Sequence, residues 1–134
     1  MHGQEWMVEV RGAEAARLSN VAVLQGLFDR MVSEIGLTAV APAIWHTFPA
    51  PGGVTGMLLL AESHLAVHTF PEHGTLCLNL FCCKPRTEWN FAGALQEAVG
   101  AQVTQVRCFE RSYGPEGQHH ARTTPVSVRV IRAG

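Results

Sequence analysis

Reactive and polar side chains crowd into residues 55 to 83: Thr55, Glu62, Ser63, His64, His68, Thr69, Glu72, His73, Cys82 and Cys83. Histidine beside cysteine first suggests a metal site using His64, His68, His73 and a cysteine, ligands that zinc favours. The spacing argues against it, because an H-x-x-x-H pair on a strand holds its imidazoles roughly 13 Å apart at about 3.3 Å per residue. A serine hydrolase fits no better: Ser63 lacks the G-x-S-x-G elbow, and Asp29, the sole aspartate, lies far along the chain in a helical pattern. A nucleophilic Cys83 paired with His68 stays open. On a regular strand, His64, Ala66 and His68 project to one side and Ser63 to the other.

The wider inventory narrows the chemistry. The chain has 134 residues, 47% hydrophobic and 16% charged, with a net charge of −1, which suits one compact soluble domain. With a single Asp there is no paired-aspartate dyad, and a pyridoxal enzyme would depend on Lys84, the single lysine. Nine dispersed arginines in a near-neutral chain do not make the basic surface that binds nucleic acid. The opening Met1-His2-Gly3-Gln4-Glu5 lacks the n- and h-regions of a signal peptide. The longest strongly apolar stretch, Met57 to Ala61, is far short of the roughly 20 residues that span a bilayer and is expected to be a buried strand. Cys77, Cys82, Cys83 and Cys108 form no C-x-x-C pair, so reduced thiols and a cytoplasmic location are expected.

Elements that could position these residues follow from periodicity. Trp6, Val8 and Val10 alternate with Met7, Glu9 and Arg11, predicting a strand. Ser19 or Asn20 can cap a helix carrying Val21, Leu24, Phe28, Met31 and Ile35, stopped by Gly36. Leu37 to Phe48 reads as a second strand, restricted by Pro42 to an edge or bulge. Val54 to Ala61, Leu65 to Phe70 and Leu76 to Phe81 read as strands, with a loop at Pro71 to Gly74. Thr87 can cap a second helix, with Phe91, Leu95, Ala98 and Val99 as its apolar stripe. Strands near Val103 to Phe109 and Val126 to Ile131 flank a polar loop, Glu110 to Pro125, that contains His119 and His120. The pattern predicts an α+β two-layer sandwich: an antiparallel-rich sheet with two main helices on one face. The other sheet face then needs cover, and a second copy giving a four-layer αββα homodimer is the simplest source.

The run Glu62-Ser63-His64-Leu65-Ala66-Val67-His68-Thr69-Phe70-Pro71-Glu72, preceded by Gly53-Val54-Thr55-Gly56 and followed by Leu78-Asn79-Leu80-Phe81-Cys82-Cys83, closely resembles the bacterial S-adenosylmethionine decarboxylase proenzyme family. The likeness also takes in the opening strand, the first helix and His46-Thr47-Phe48, and weakens after about Lys84.

The resemblance implies a single domain, residues 1–134, that cuts itself between Glu62 and Ser63 into chains of residues 1–62 and 63–134. Ser63 would become a pyruvoyl group capping the new chain, with no pyridoxal phosphate and no metal. It implies His68 as the proton-transfer group, a role that suits imidazole. It implies Cys83 as the thiol that reprotonates the substrate carbon. Thr55 stands where the family usually has Ser, so the hydroxyl is kept on a stiffer, β-branched side chain. The substrate amine would form a Schiff base with the pyruvoyl ketone, Phe48 would stack on adenine, and Glu72 would bind the ribose hydroxyls. The product would be the aminopropyl donor for spermidine synthesis. Asn79 replaces a common Asp, Ala66 a frequent Ser or Thr, and Lys84 a usual Gly. These departures leave a pyruvoyl-dependent arginine or ornithine decarboxylase as an alternative, and the Thr55 change leaves a second, a paralogue that never processes. His64 is expected to be structural, Cys82 a buried filler, and His73 a surface residue.

Overall fold

The computed structural model describes residues 2–115 and 124–134. The first strand, β1 (His2–Arg11), buries Trp6, Val8 and Val10 and turns Met7 and Glu9 to the opposite face, as the alternation predicts. A one-turn helix, α1 (Ala15–Leu18), follows and buries Leu18. Helix α2 (Val21–Ile35) begins at Asn20, whose side-chain oxygen accepts from Ala22 N at 2.9 Å, and ends at Gly36 in the left-handed region at φ 79°. Its buried face is Leu24, Leu27, Phe28 and Met31. Replacing Asn20 by Ala leaves the first-turn amides without this acceptor; the expected loss is about 1 kcal/mol, read as a lower midpoint in urea.

Leu37 to Phe48 is not one strand. Only β2 (Ile44–Thr47) is regular; upstream, Ala39 makes a single bridge to Leu60. Pro42 lacks the N–H that a ladder would use, so pairing lapses on its N-terminal side and resumes two residues after it. Next come β3 (Val54–Leu60), β4 (Ser63–Phe70), a 3₁₀ turn (Pro71–His73) and β5 (Thr75–Cys82). Helix α3 (Phe91–Val99) is capped by Asn90 rather than Thr87: the Asn90 side-chain oxygen accepts from Gly93 N at 3.0 Å. The last strands are β6 (Val103–Ser112) and β7 (Ser127–Arg132). The expected Glu110 to Pro125 loop therefore starts later, since residues 110–112 belong to β6; residues 116–123, with His119 and His120, lie outside the described residues.

The strands form one sheet of seven in the order β2-β3-β4-β5-β1-β6-β7, every pair antiparallel. Residues of α2 and α3 join the inward residues of the strands in a single apolar core, giving the α+β two-layer architecture. The stretch Met57 to Ala61 is not wholly buried: Leu58 and Leu60 face the helices, while Met57 and Leu59 are 56% and 61% exposed on the other face. Apolar residues on both faces hid the alternation. Directly paired residues share a face, so the outer face carries a row Ile44, Met57, Ala66, Asn79, Met7 and Arg107, and a second row His46, Thr55, His68, Cys77, Glu9 and Gln105. Among the described residues no helix is long and apolar enough to cross a membrane.

Candidate active site

The sequence-predicted residues fall into two groups at opposite ends of the β3–β4 hairpin. At the open end, Thr55 on β3 is directly opposite His68 on β4, and Thr55 Oγ1 lies 3.2 Å from His68 Nδ1. Thr69, the next residue, turns inward and pins this end: its hydroxyl donates to the Leu18 carbonyl at 2.7 Å and accepts from Val54 N at 2.9 Å. Around Thr55 and His68 opens a concave pocket of about 580 Å³, walled by Phe48, Pro49, Pro51, Gly53, Phe70 and Glu72. Phe48 is half exposed and edge-on to His46, with ring centroids 4.6 Å apart. Glu72 is exposed in the 3₁₀ turn after β4. An apolar wall with a few convergent polar groups, at this volume, suits a small-molecule ligand.

At the closed end, Leu60 pairs with Ser63 and the two-residue turn Ala61-Glu62 joins the strands. The Glu62 carbonyl accepts a hydrogen bond from Cys83 N at 3.1 Å, and the Glu62 carboxylate pairs with Lys84 Nζ at 3.2 Å. Ser63 is directly opposite Cys82 in the ladder, which brings the serine side chain beside the Cys82 thiol. Burial pushes the Cys82 thiol up from its ordinary range, with nearby Arg86 and the Ser63 contact pulling the other way. Cys82 is thus a neutral, buried thiol, whereas Cys83 is only half buried. The Tyr113 hydroxyl donates to the Cys83 carbonyl at 2.8 Å.

His64 has the structural surroundings expected of it. Its ring stacks on Phe81 at 5.6 Å, and its Nε2 lies 2.9 Å from Asn79 Oδ1. Asn79 Nδ2 donates to Glu5 at 2.7 Å, and Glu5 pairs with Arg111. Because the Asn79 amide nitrogen faces a carboxylate, its oxygen faces His64, which must donate through Nε2–H. His73 is exposed, and among the described residues no three His, Cys, Asp or Glu converge on a metal position.

Sequence reasoning missed the Ser63–Cys82 contact and Tyr113. Spacing could not reveal the first, since it depends on strand register. The second had one signal: Tyr113 is the only tyrosine in the chain.

The fold and site together define a class: an α+β sandwich with a Glu-Ser junction at a hairpin tip, its carbonyl held by a backbone amide, and a hydroxyl–imidazole pocket at the far end of the same hairpin. The family model described as S-adenosylmethionine decarboxylase matches residues 4–112, and the chain belongs to that family. It is 36% identical over 112 residues to the S-adenosylmethionine decarboxylase proenzyme of Parasynechococcus marenigrum, covering 83% of this chain and 86% of that protein. It is 31% identical over 114 residues to S-adenosylmethionine decarboxylase proenzyme 2 of Halalkalibacterium halodurans, covering 84% and 88%. Its fold is similar to the crystal structure of the adenosylmethionine decarboxylase from Aquifex aeolicus VF5, with a TM-score of 0.72 at 23% identity over 89% of this chain and 98% of that one.

Proposed function

We propose that the chain is a proenzyme that cuts its own Glu62–Ser63 bond into residues 1–62 and 63–134 and then decarboxylates S-adenosylmethionine. The observation that carries this reading is the Cys83 N–H on the Glu62 carbonyl oxygen, 3.1 Å away, directly before a serine. A carbonyl polarised by an amide donor is prepared for attack, because charge builds on that oxygen in the tetrahedral intermediate.

The Ser63 oxygen attacks the Glu62 carbonyl carbon, and the C–N bond breaks to leave an ester and a free amine. Loss of the Ser63 α-proton then breaks the Cβ–O bond and expels the Glu62 α-carboxylate. The dehydroalanine that remains takes up water and releases ammonia, giving a pyruvoyl group. Ser63 fits this origin: it ends a two-residue turn, is half buried, and its peptide neighbour carries the polarised carbonyl. The bound pyruvoyl group supplies an electron sink for loss of a carboxylate as CO₂. In the pocket, Phe48 offers an aromatic face to adenine and Glu72 offers two acceptors to ribose hydroxyls. Thr55 holds the His68 imidazole through Nδ1 for proton transfer. Cys83 returns a proton to the substrate carbon. The decarboxylated product is the aminopropyl donor for spermidine.

A homodimer accounts for the division of the site. Five residues of β4 separate Ser63 from His68, about 17 Å at roughly 3.3 Å per residue, and alternation turns them to opposite faces. One copy therefore presents two half-sites. The outer face, with exposed Met7, Met57, Leu59, Val128 and Val130, supplies the apolar surface on which a second copy can dock its own outer face and bring its His68 to the Glu62–Ser63 peptide at the hairpin tip.

Intact mass tests the first step: the 14.6 kDa chain is expected to become two fragments, and a chain that stays whole under all conditions overturns the reading. CO₂ release from carboxyl-labelled S-adenosylmethionine, arginine and ornithine tests the substrate, and faster turnover of either amino acid rejects it. Co-expression of Ser63→Ala with His68→Ala is expected to restore cleavage of the His68→Ala chain. Cleavage of that chain alone at the normal rate, or no rescue, counts against a shared site.

A further inference from the structure

We infer that Tyr113 is a positioning residue for self-processing: its phenol holds Cys83 so that the Cys83 N–H stays on the Glu62 carbonyl oxygen. The inference rests on the self-processing reading above and extends it to a residue just outside the segment that matches the family.

Cys83 is the first residue past the end of β5, where the sheet ladder no longer holds it. Each of its flanking peptides is nevertheless tied. The peptide before Cys83 donates through N–H to Glu62, and the peptide after it accepts through C=O from the Tyr113 hydroxyl at 2.8 Å. Holding the peptides on both sides of one Cα fixes its φ and ψ, and with them the direction of its Cβ. One phenol thus sets both the amide donor at the scissile carbonyl and the aim of the Cys83 thiol.

Tyr113 is well placed to do this because it immediately follows β6, whereas Cys83 follows β5, and β1 lies between those strands in the sheet. The tether therefore joins two strand ends that make no ladder bonds with each other. The Lys84–Glu62 ion pair reaches the same junction from the side chain. Both of its partners are largely exposed, so solvent screening leaves it little influence. The Tyr113 bond is exposed as well, with Tyr113 53% exposed, but it holds the peptide that flanks the donor amide, whereas the ion pair joins two flexible side chains.

The test is cell-free synthesis with pulse labelling, in which conversion of the 14.6 kDa chain to fragments is timed for wild type, Tyr113→Phe and Lys84→Met. Tyr113→Phe removes only the hydroxyl, and slowing of about three- to tenfold is expected, the rate equivalent of one modest hydrogen bond. Lys84→Met is expected to slow conversion by less than about twofold. A second readout needs no processing. In a Ser63→Ala background, which keeps the chain whole, Tyr113→Phe is expected to change the rate of Cys83 alkylation by iodoacetamide while lowering the Tm by no more than the few degrees that one modest hydrogen bond is worth. Wild-type processing speed with unchanged alkylation overturns the inference, and so does a larger fall in Tm, which would mean general loosening of the fold. If wild type itself never processes, the reading beneath fails, and the alkylation comparison still decides whether Tyr113 holds Cys83.

Discussion

Ser63→Ala is expected to leave the chain whole at 14.6 kDa indefinitely, where the wild type is expected to yield two fragments. The effect is all-or-none because the step consumes the residue itself: without Oγ no ester forms, and without an ester no leaving group departs from Cβ. The substitution removes one atom from a half-buried residue at a hairpin tip, so the Tm should stay close to that of unprocessed wild type. A cleaved Ser63→Ala chain would sink the proposal, since it would require hydrolysis by another route. His68→Ala should instead be graded. Loss of a positioned acid–base group slows a reaction by about 10²–10⁴-fold, so slow cleavage is expected over long incubation. Thr55 adds a further gradation. Thr55→Val removes the hydroxyl that lies 3.2 Å from His68 Nδ1, whereas Thr55→Ser keeps it and frees the rotamer. The expected order of processing rates is Ser at 55, then Thr, then Val, measured by intact mass against time.

Gly56→Ala is expected to destabilise the fold by about 2–4 kcal/mol, the sum of overpacking and one lost hydrogen bond. A Cβ on Gly56 would stand 2.1 Å from the Trp45 ring, so the indole must move. The indole has no free room: it packs on Phe28 with centroids 4.9 Å apart, and its Nε1 donates to Gln25 at 2.7 Å. Trp45 also lies in the strand that leads to Phe48 in the pocket wall, so weakened substrate binding should accompany the lost stability. Gly26→Ala is the control of opposite sign. It lies on α2 with nothing within 4 Å of an added Cβ, and Ala at an exposed helix position should stabilise by about 0.5–1 kcal/mol. Urea midpoints measured on both variants check the pair. Equal and small shifts would mean that Trp45 can move aside without cost.

The parts of the fold governed by local rules were legible. The alternation of Trp6, Val8 and Val10, the three- and four-residue spacing from Leu24 to Met31, and the stop at Gly36 each reflect one element's geometry. The misreadings came where distant residues decide. Leu37 to Ala43 had strand-like composition, but only Ala39 found a ladder partner. Met57 and Leu59 read as core because apolar residues for a second, uncovered face look the same in sequence as residues for an interior. Thr87 lost the capping role to Asn90, three residues nearer the helix, whose side chain reaches Gly93 N.

The site shows the same division. The run from Glu62 to Glu72, with Thr55 and Cys83, is contiguous enough that a chemistry could be proposed for it residue by residue, and a single lysine is no obstacle to that proposal if Ser63 is the future carbonyl. Reactivity of that kind depends on residue type and order along the chain. Which groups meet depends on register and on strand length. Only the tertiary structure put Cys83 N–H on the Glu62 carbonyl, Cys82 beside the Ser63 hydroxyl, and Tyr113 on the Cys83 carbonyl. It also placed His68 a strand's length from Ser63, because an extended backbone separates five residues by about 17 Å.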